Sequence, residues 1–317
     1  MQFDGTSWQT FELPNKTVVR SLYIHPSGKI YVGGQGEFGY FEPNAIGQLV
    51  YHSLLALIPE KDRYFADVWN LINFQDVIYF NASDKIYEYA NERIKVYEKG
   101  KITFIGEGNG RLFIGNETGL FELKNREILQ VTGGNKLVNT VLIDVVQGEA
   151  GTLIFATKNN GLFELKQGLL RLKILEDIDF INNNEIYCMT AIDEDRIALG
   201  IVGKGLIIVT KTGQLRYHLN KQNGLQNNNI LSLLKDKEGN LWLGLNNGID
   251  QVLVNSPFTK IIPDIQQEGT AYTASIFKDK LYLGTTDGLY QKNWQAYYHP
   301  LKQQEFQLLE KSEGQVW

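Results

Sequence analysis

Six short stretches of this chain gather the residue types that grip a polyol without covalent chemistry: Asn15 to Arg20, Arg63 to Trp69, Leu137 to Asn139, Asn182 to Ile186, Gln226 to Asn229 and Gly269 to Thr273. Amide donors and guanidinium groups beside aromatic faces suit a sugar, whose hydroxyls need directional partners and whose ring needs a flat apolar floor. The same residues also suit solvated loops, because Asn tolerates turns. Taken as a set, they nominate Arg20, Arg63, Tyr64, Trp69, Asn139, Asn184, Asn229 and Tyr272 as ligand-binding candidates. Glu37 joins them from the longest turn between two apolar strands. Trp69 serves either packing or ligand stacking.

Catalytic motifs are scarce by comparison. Gly34, Gly36 and Gly39 satisfy the spacing of a dinucleotide fingerprint, but Pro43 follows closely and denies the helix N-terminus that would receive a pyrophosphate. Gly106, Gly108 and Gly110 lack the Lys-Ser/Thr of a phosphate loop and read as a hairpin turn. No HExxH, GxSxG or Ser-x-x-Lys pattern occurs. Carboxylates are numerous, so a glycosidase pair roughly 5 to 9 Å apart stays open, although nothing in the sequence selects one. Asp193, Asp236 and Glu313 sit in tight turns where carboxylates satisfy backbone amides. His25 and His299 each precede a proline, as loop residues do. The Asn-x-Ser/Thr strings at Asn15, Asn81 and Asn116 read as chance. Cofactors are not expected. Four scattered histidines and the single Cys188 offer no metal-ligand spacing and no intramolecular disulfide. A lone Cys fits the cytoplasm, and fits an export compartment equally if it is buried.

The elements that would position these residues are set by composition and repetition. In 317 residues, 43% are hydrophobic and 21% charged, with 31 Lys+Arg against 36 Asp+Glu and a net charge of -5. That is a globular protein with no basic stripe for a phosphate backbone, so no direct nucleic-acid contact is expected. The N-terminal MQFDGTSWQTF lacks a signal peptide's basic and apolar regions, and no run of 18 apolar residues occurs.

One pattern recurs seven times: an apolar strand ending in a small residue, a Gly/Asn/Asp-rich turn, and a second apolar strand. The residues ending the first strand of each copy are Gly33, Asn81, Gly115, Ala156, Gly200, Gly244 and Gly284, spaced by 48, 34, 41, 44, 44 and 40. This matches a four-stranded propeller blade of roughly 40 to 50 residues, and alternating short strands and turns disfavour helical repeats. Another strand and a reverse turn precede each copy, best seen at Ile230 to Gly244, and again around HPSG at 25–28, DEDR at 193–196 and KSEG at 311–314. Leu241, Trp242 and Leu243 read as a central strand buried on both faces, with Trp242 in the core. The prediction is all-β, a seven-bladed β-propeller of four-stranded blades forming one domain over 1–317. An open sandwich would not repeat one unit seven times. GQVW at 314–317 resembles the start of a second strand and QFDGTSW the end of one, so the chain is expected to be cut within the blade that closes the ring. Propeller ligands sit at one end of the channel, on the loops leading into the innermost strands, which is where the six stretches fall.

Gly224 to Val252, GLQNNNILSLLKDKEGNLWLGLNNGIDQV, resembles the two-component regulator propeller repeat, with its Gly-Leu, Asn-containing turn, D..GNLW.G hairpin and GL turn. The Ile78 copy departs from it, with Asn81 and Lys85 where glycines are expected. FDGTSW at 3–8, GEFGYFEP at 36–43 and VNSPF at 254–258 are similar to the sensor region of Bacteroidetes-type regulators. The resemblance implies a periplasmic, non-enzymatic sensor, in many relatives tuned to glycans or their breakdown products. It implies a homodimeric, membrane-anchored whole protein with a triple-tyrosine domain and a LuxR-type helix-turn-helix or kinase output, none of which lies in this sequence. Membrane contact would come only through those further segments. The alternatives are a propeller enzyme, a polysaccharide lyase or hydrolase, and a protein-interaction scaffold.

Overall fold

A computed structural model describes residues 2–3, 6–175, 178–256, 270–294 and 307–311. Among the described residues strands dominate, joined by turns, short 3-10 segments and one five-residue α-helix, Ile178–Asn182. Seven antiparallel sheets of three or four strands follow one another among the described residues, each a meander in sequence order, as propeller blades are. Each of the seven small-residue markers lies at or near the end of a blade's second strand.

The chain divides into two compact units, residues 1–172 and 173–317. The first holds a short hairpin, Gln2–Phe3 with Trp8–Gln9, and blades 1 to 4, whose first strands are Val19–Ile24, Asn70–Phe74, Ile102–Gly108 and Leu142–Gln147. The second holds blades 5 to 7, with first strands Ile186–Ala191, Ile230–Lys235 and Ala271–Phe277. Blade 6 has three strands among the described residues and the other six have four. The turn at KSEG lies largely outside the described residues, as do GQVW at 314–317 and His299.

Turn chemistry explains the meanders. Gln75–Asp76, Asn91–Glu92, Asn109–Gly110, Asn125–Arg126, Gln167–Gly168 and Lys278–Asp279 all have positive φ at both positions, the two-residue hairpin geometry whose twist matches that of the flanking strands. Where the turn is longer, a carboxylate closes it. Asp193 Oδ1 accepts from the Arg196 amide at 2.7 Å, and Asp236 Oδ1 from the Asn240 amide at 2.8 Å. These are the roles expected from their turn positions.

Within each unit, buried clusters join neighbouring blades. In blades 3, 4 and 5 the second strands are buried on both faces, with Leu112, Phe113 and Ile114, then Leu153 to Ala156, then Ile197 to Ile201 inside. Blade 6 differs. Leu241 and Leu243 are buried, but Trp242 is 37% exposed and donates from Nε1 to Asp236 Oδ2 at 2.9 Å. Trp242 is therefore not a core residue. It pairs across the sheet with Leu234, itself exposed, so this face carries solvent-facing apolar groups and the indole's polar edge holds the hairpin turn.

One irregularity repeats. In six blades the first strand carries an extra residue just before the partner of the marker, so that Arg20, Thr103, Ile143, Tyr187, Leu231 and Tyr272 are unpaired. Such bulges bend a strand and re-aim a side chain. Blade 2 has the equivalent just outside its ladder, where the Trp69 amide reaches the Asn81 carbonyl at 3.1 Å and Asn70 pairs with Asn81. At Gly115 and Gly33 the marker is small because the next blade presses on it. A Cβ on Gly115 would lie 2.6 Å from Leu142 Cδ1, and one on Gly33 would meet the Val68 side chain.

Candidate functional site

In the first unit, three loops are stitched together where blades 1 and 2 begin. Asn15 opens the lead-in to blade 1 with an Asx turn, its Oδ1 accepting from the Thr17 amide, while its Nδ2 donates to the Gln35 carbonyl at 2.9 Å. Gln35 lies in the turn between the second and third strands of blade 1 and bridges to Asp67 in the lead-in to blade 2. The Gly36 and Val68 amides reach the Ala66 and Gly34 carbonyls at 2.9 and 3.0 Å, and Ser21 Oγ donates to the Val68 carbonyl at 2.7 Å. The bulge in Val19–Ile24 turns Arg20 out of the ladder toward this junction.

There Arg20 meets its neighbour from the next blade. Its Nε donates to Asp67 Oδ1 at 2.9 Å, and its guanidinium carbon lies 4.7 Å from the centre of the Trp69 ring. Asp67 is the better shielded partner, its side chain 16% exposed against 37% for Arg20, while Trp69 is 52% exposed. A carboxylate fixing the inner edge of an arginine, stacked on an open indole, is a preorganised polar and aromatic platform. Of the sequence candidates, Arg20 and Trp69 are brought together. Asp67 lies inside the nominated stretch 63–69 but was not singled out, because aspartate in a loop is usually a turn former.

Among the described residues, the other candidates of this unit make no hydrogen bond, ion pair or ring contact with Arg20, Asp67 or Trp69. Tyr64 is 86% exposed, and Arg63 donates from Nε to the Ile58 carbonyl at 2.9 Å. Asn139 is exposed in the left-handed region, its amide reaching the Glu117 carbonyl. Glu37 is buried, not solvent-facing: Oε1 accepts from Tyr51 Oη at 3.1 Å and Ser53 Oγ at 2.8 Å, so it pins the outer strand of blade 1. Burial and the adjacent Glu37 carboxylate drive the Tyr51 phenol far above its ordinary range.

In the second unit, Tyr272 occupies the bulge position of blade 7 and is exposed. Tyr187 and Leu231, at the same position of blades 5 and 6, are also exposed, and the sequence reading passed over them. Asn184 donates from Nδ2 to the Phe180 carbonyl at 2.7 Å and holds its own turn, whereas Asn229, just before the first strand of blade 6, accepts at Oδ1 from the Gly203 amide of blade 5 at 2.8 Å and ties the two blades together. The signal that finds the bulge residues is positional: each lies one residue before the partner of the marker.

A cavity of about 420 Å³ lies at the other end of the strands, lined by Phe74, Gln75, Gly110, Arg111, Glu122 and Lys124 among others. Its arginine is engaged within the blade, with Arg111 Nη2 2.6 Å from Glu122 Oε2, and this contact holds the Glu122 carboxyl below its ordinary range. Among the described residues, no three His, Cys, Asp or Glu side chains converge as metal ligands, and no helix is long and apolar enough to cross a membrane. The described histidines make local contacts: His25 with Ser27 Oγ, His52 stacked on Tyr40, and His218 with the Lys204 carbonyl.

Comparison with known proteins agrees with this architecture. A family model described as "Two component regulator propeller" matches residues 224–247, which span the lead-in and hairpin of blade 6. No curated protein matches the chain. Among solved structures, the chain is similar to the extracellular domain of BT4673 from B. thetaiotaomicron, described as a one component system, with a TM-score of 0.62 and 20% identity over 92% of this chain. The chain spans only 41% of that chain. It is also similar to virginiamycin B lyase from Staphylococcus aureus, with a TM-score of 0.58 and 16% identity, covering 87% of this chain and 94% of that one. A third likeness is the WD40 β-propeller domain of Doa1, with a TM-score of 0.57 and 12% identity over 74% and 78% of the two chains. At these identities the likeness is one of fold. The chain is a β-propeller that carries a two-component regulator propeller repeat.

Proposed function

We propose that this chain is the ligand-sensing propeller module of a membrane-anchored signalling protein, that it works outside the cytoplasm, and that it responds to a glycan or a glycan breakdown product. The observation that carries the reading is the regulator propeller repeat at 224–247. The fold shared with an extracellular domain of a one component system supports the location. The Arg20, Asp67 and Trp69 platform supports reversible binding: it offers directional donors and an aromatic face.

A ligand changes a signalling state only by binding two states unequally. In this reading the module forms a homodimer in the whole protein, and occupancy of the platform shifts the arrangement of the pair that reaches the output domain. The test is a thermal-shift screen of the purified chain against oligosaccharides and polysaccharides, with product analysis on every hit. Stabilisation without turnover is the expected result. Turnover of any hit replaces the sensor reading with that of a propeller lyase or hydrolase, and no shift from any glycan with a folded sample favours a protein-interaction scaffold.

A further inference from the structure

We propose that Arg20 is the receptor for a ligand carboxylate and that the sugar recognised here is a uronate. This rests on the sensor reading above and narrows its ligand. Arg20 presents three hydrogen-bonding edges, and the structure assigns one of them: Nε faces inward to Asp67 Oδ1 at 2.9 Å. Among the described residues nothing bonds the two terminal nitrogens, which remain with the exposed part of the side chain above Trp69. A guanidinium whose Nε is tied and whose plane is set by a ring 4.7 Å away has lost most of its rotamer freedom before any ligand arrives. Its open Nη pair then matches the two oxygens of a carboxylate in a bidentate contact.

The surroundings suit an acidic ring more than a neutral one. Asp67 sits behind the guanidinium with its side chain largely shielded, so it orients Arg20 and leaves the outer edge cationic. Trp69, half-exposed at the bulge-equivalent position of blade 2, offers apolar surface to the ring that bears the carboxylate. The backbone bonds joining the loops fix the geometry, since the Gly36, Val68 and Trp69 amides are each held by a neighbouring strand or loop. A neutral hexose would leave the oriented Nη pair half used, and a free anion without a ring would leave Trp69 unused.

The experiment is calorimetric titration of the purified chain with glucuronate- and galacturonate-containing oligosaccharides, their carboxyl-reduced counterparts, sulfated oligosaccharides and sodium acetate, on wild type, Arg20→Lys and Trp69→Ala. The proposal expects uronate binding that weakens with added salt, a loss of about tenfold or more on carboxyl reduction, and a similar loss for Arg20→Lys, which keeps charge and removes the fork. Trp69→Ala should weaken the uronate oligosaccharide and leave any acetate binding unchanged. Equal affinity for reduced and acidic oligosaccharides overturns the carboxylate assignment while glycan sensing stands. Preference for sulfated over carboxylated ligands, or acetate binding as tight as the oligosaccharide, overturns it as well. No binding by any saccharide to a folded chain overturns both readings.

Discussion

Asp144 follows the bulged residue in the first strand of blade 4, opposite Ala156, where the same position holds Ser21, Cys188, Ser232 and Thr273 in other blades. Burial pushes its carboxyl from an ordinary 3.8 up to about 7, against one opposing hydrogen bond from the Val145 amide at 2.8 Å. Because the folded state holds this proton more tightly than the unfolded one, the stability that Asp144 contributes is fully present below about pH 4 and is lost as pH rises toward 7. A shift of that size corresponds to a ceiling of about 4 kcal/mol at 1.36 kcal/mol per unit. Asp144→Asn keeps the shape and the acceptor for the Val145 amide and removes the charge. Urea unfolding at pH 4, 6 and 8 should show near parity with wild type at pH 4 and an advantage for the variant of about 2 to 4 kcal/mol at pH 8. A difference between the two proteins that does not change with pH would refute the assignment of this titration to Asp144.

Three further outcomes follow from the packing. Asn81 occupies a marker position with its side chain buried and Oδ1 lacking a donor, so Asn81→Ala should stabilise by about 1 kcal/mol, read as a raised urea midpoint; a lowered midpoint would mean that the amide is satisfied. Gly115→Ala places a Cβ against Leu142 and should cost about 1 to 3 kcal/mol, and Gly110→Ala, with open space but a positive φ, should cost about 1 to 2 kcal/mol from backbone strain alone. Trp242→Phe removes the bond to Asp236 from an exposed indole and should change stability by less than about 1 kcal/mol; a loss of 3 kcal/mol or more would place Trp242 back in the core.

The blade pattern was legible because two physical demands leave marks at fixed spacing. Close approach of the next blade needs a small residue at the end of the second strand, as at Gly33, Gly115 and Gly200, and tight hairpins need residues that tolerate positive φ, as at Asn91 and Asn125. Asn81 broke the first rule and still occupies a marker position, in the blade that begins its ladder at Asn70 without an internal bulge. The bulges themselves leave no compositional mark, since Arg20, Thr103, Ile143 and Tyr187 share only a position. That is why Arg20, Trp69 and Tyr272 were found by residue type in a lead-in loop, and Tyr187 and Leu231 were not found at all. Trp242 was misread because hydrophobic neighbours say nothing about which face of a strand is covered. Glu37 was placed at a mouth by the length of its turn, when the turn folds inward and Tyr51 and Ser53 supply the donors its carboxylate needs.

The most direct test of the platform at the start of blades 1 and 2 is amide hydrogen exchange on the chain with and without a saturating saccharide identified by thermal shift. The account predicts slowed exchange concentrated in residues 15–20, 35–37 and 63–69, where the stitching amides lie, and no such change in Trp69→Ala at the same saccharide concentration. Protection confined to the turns around Gln75, Gly110 and Asn125, with residues 63–69 unchanged, would contradict it and move the site to the cavity at the other end of the strands.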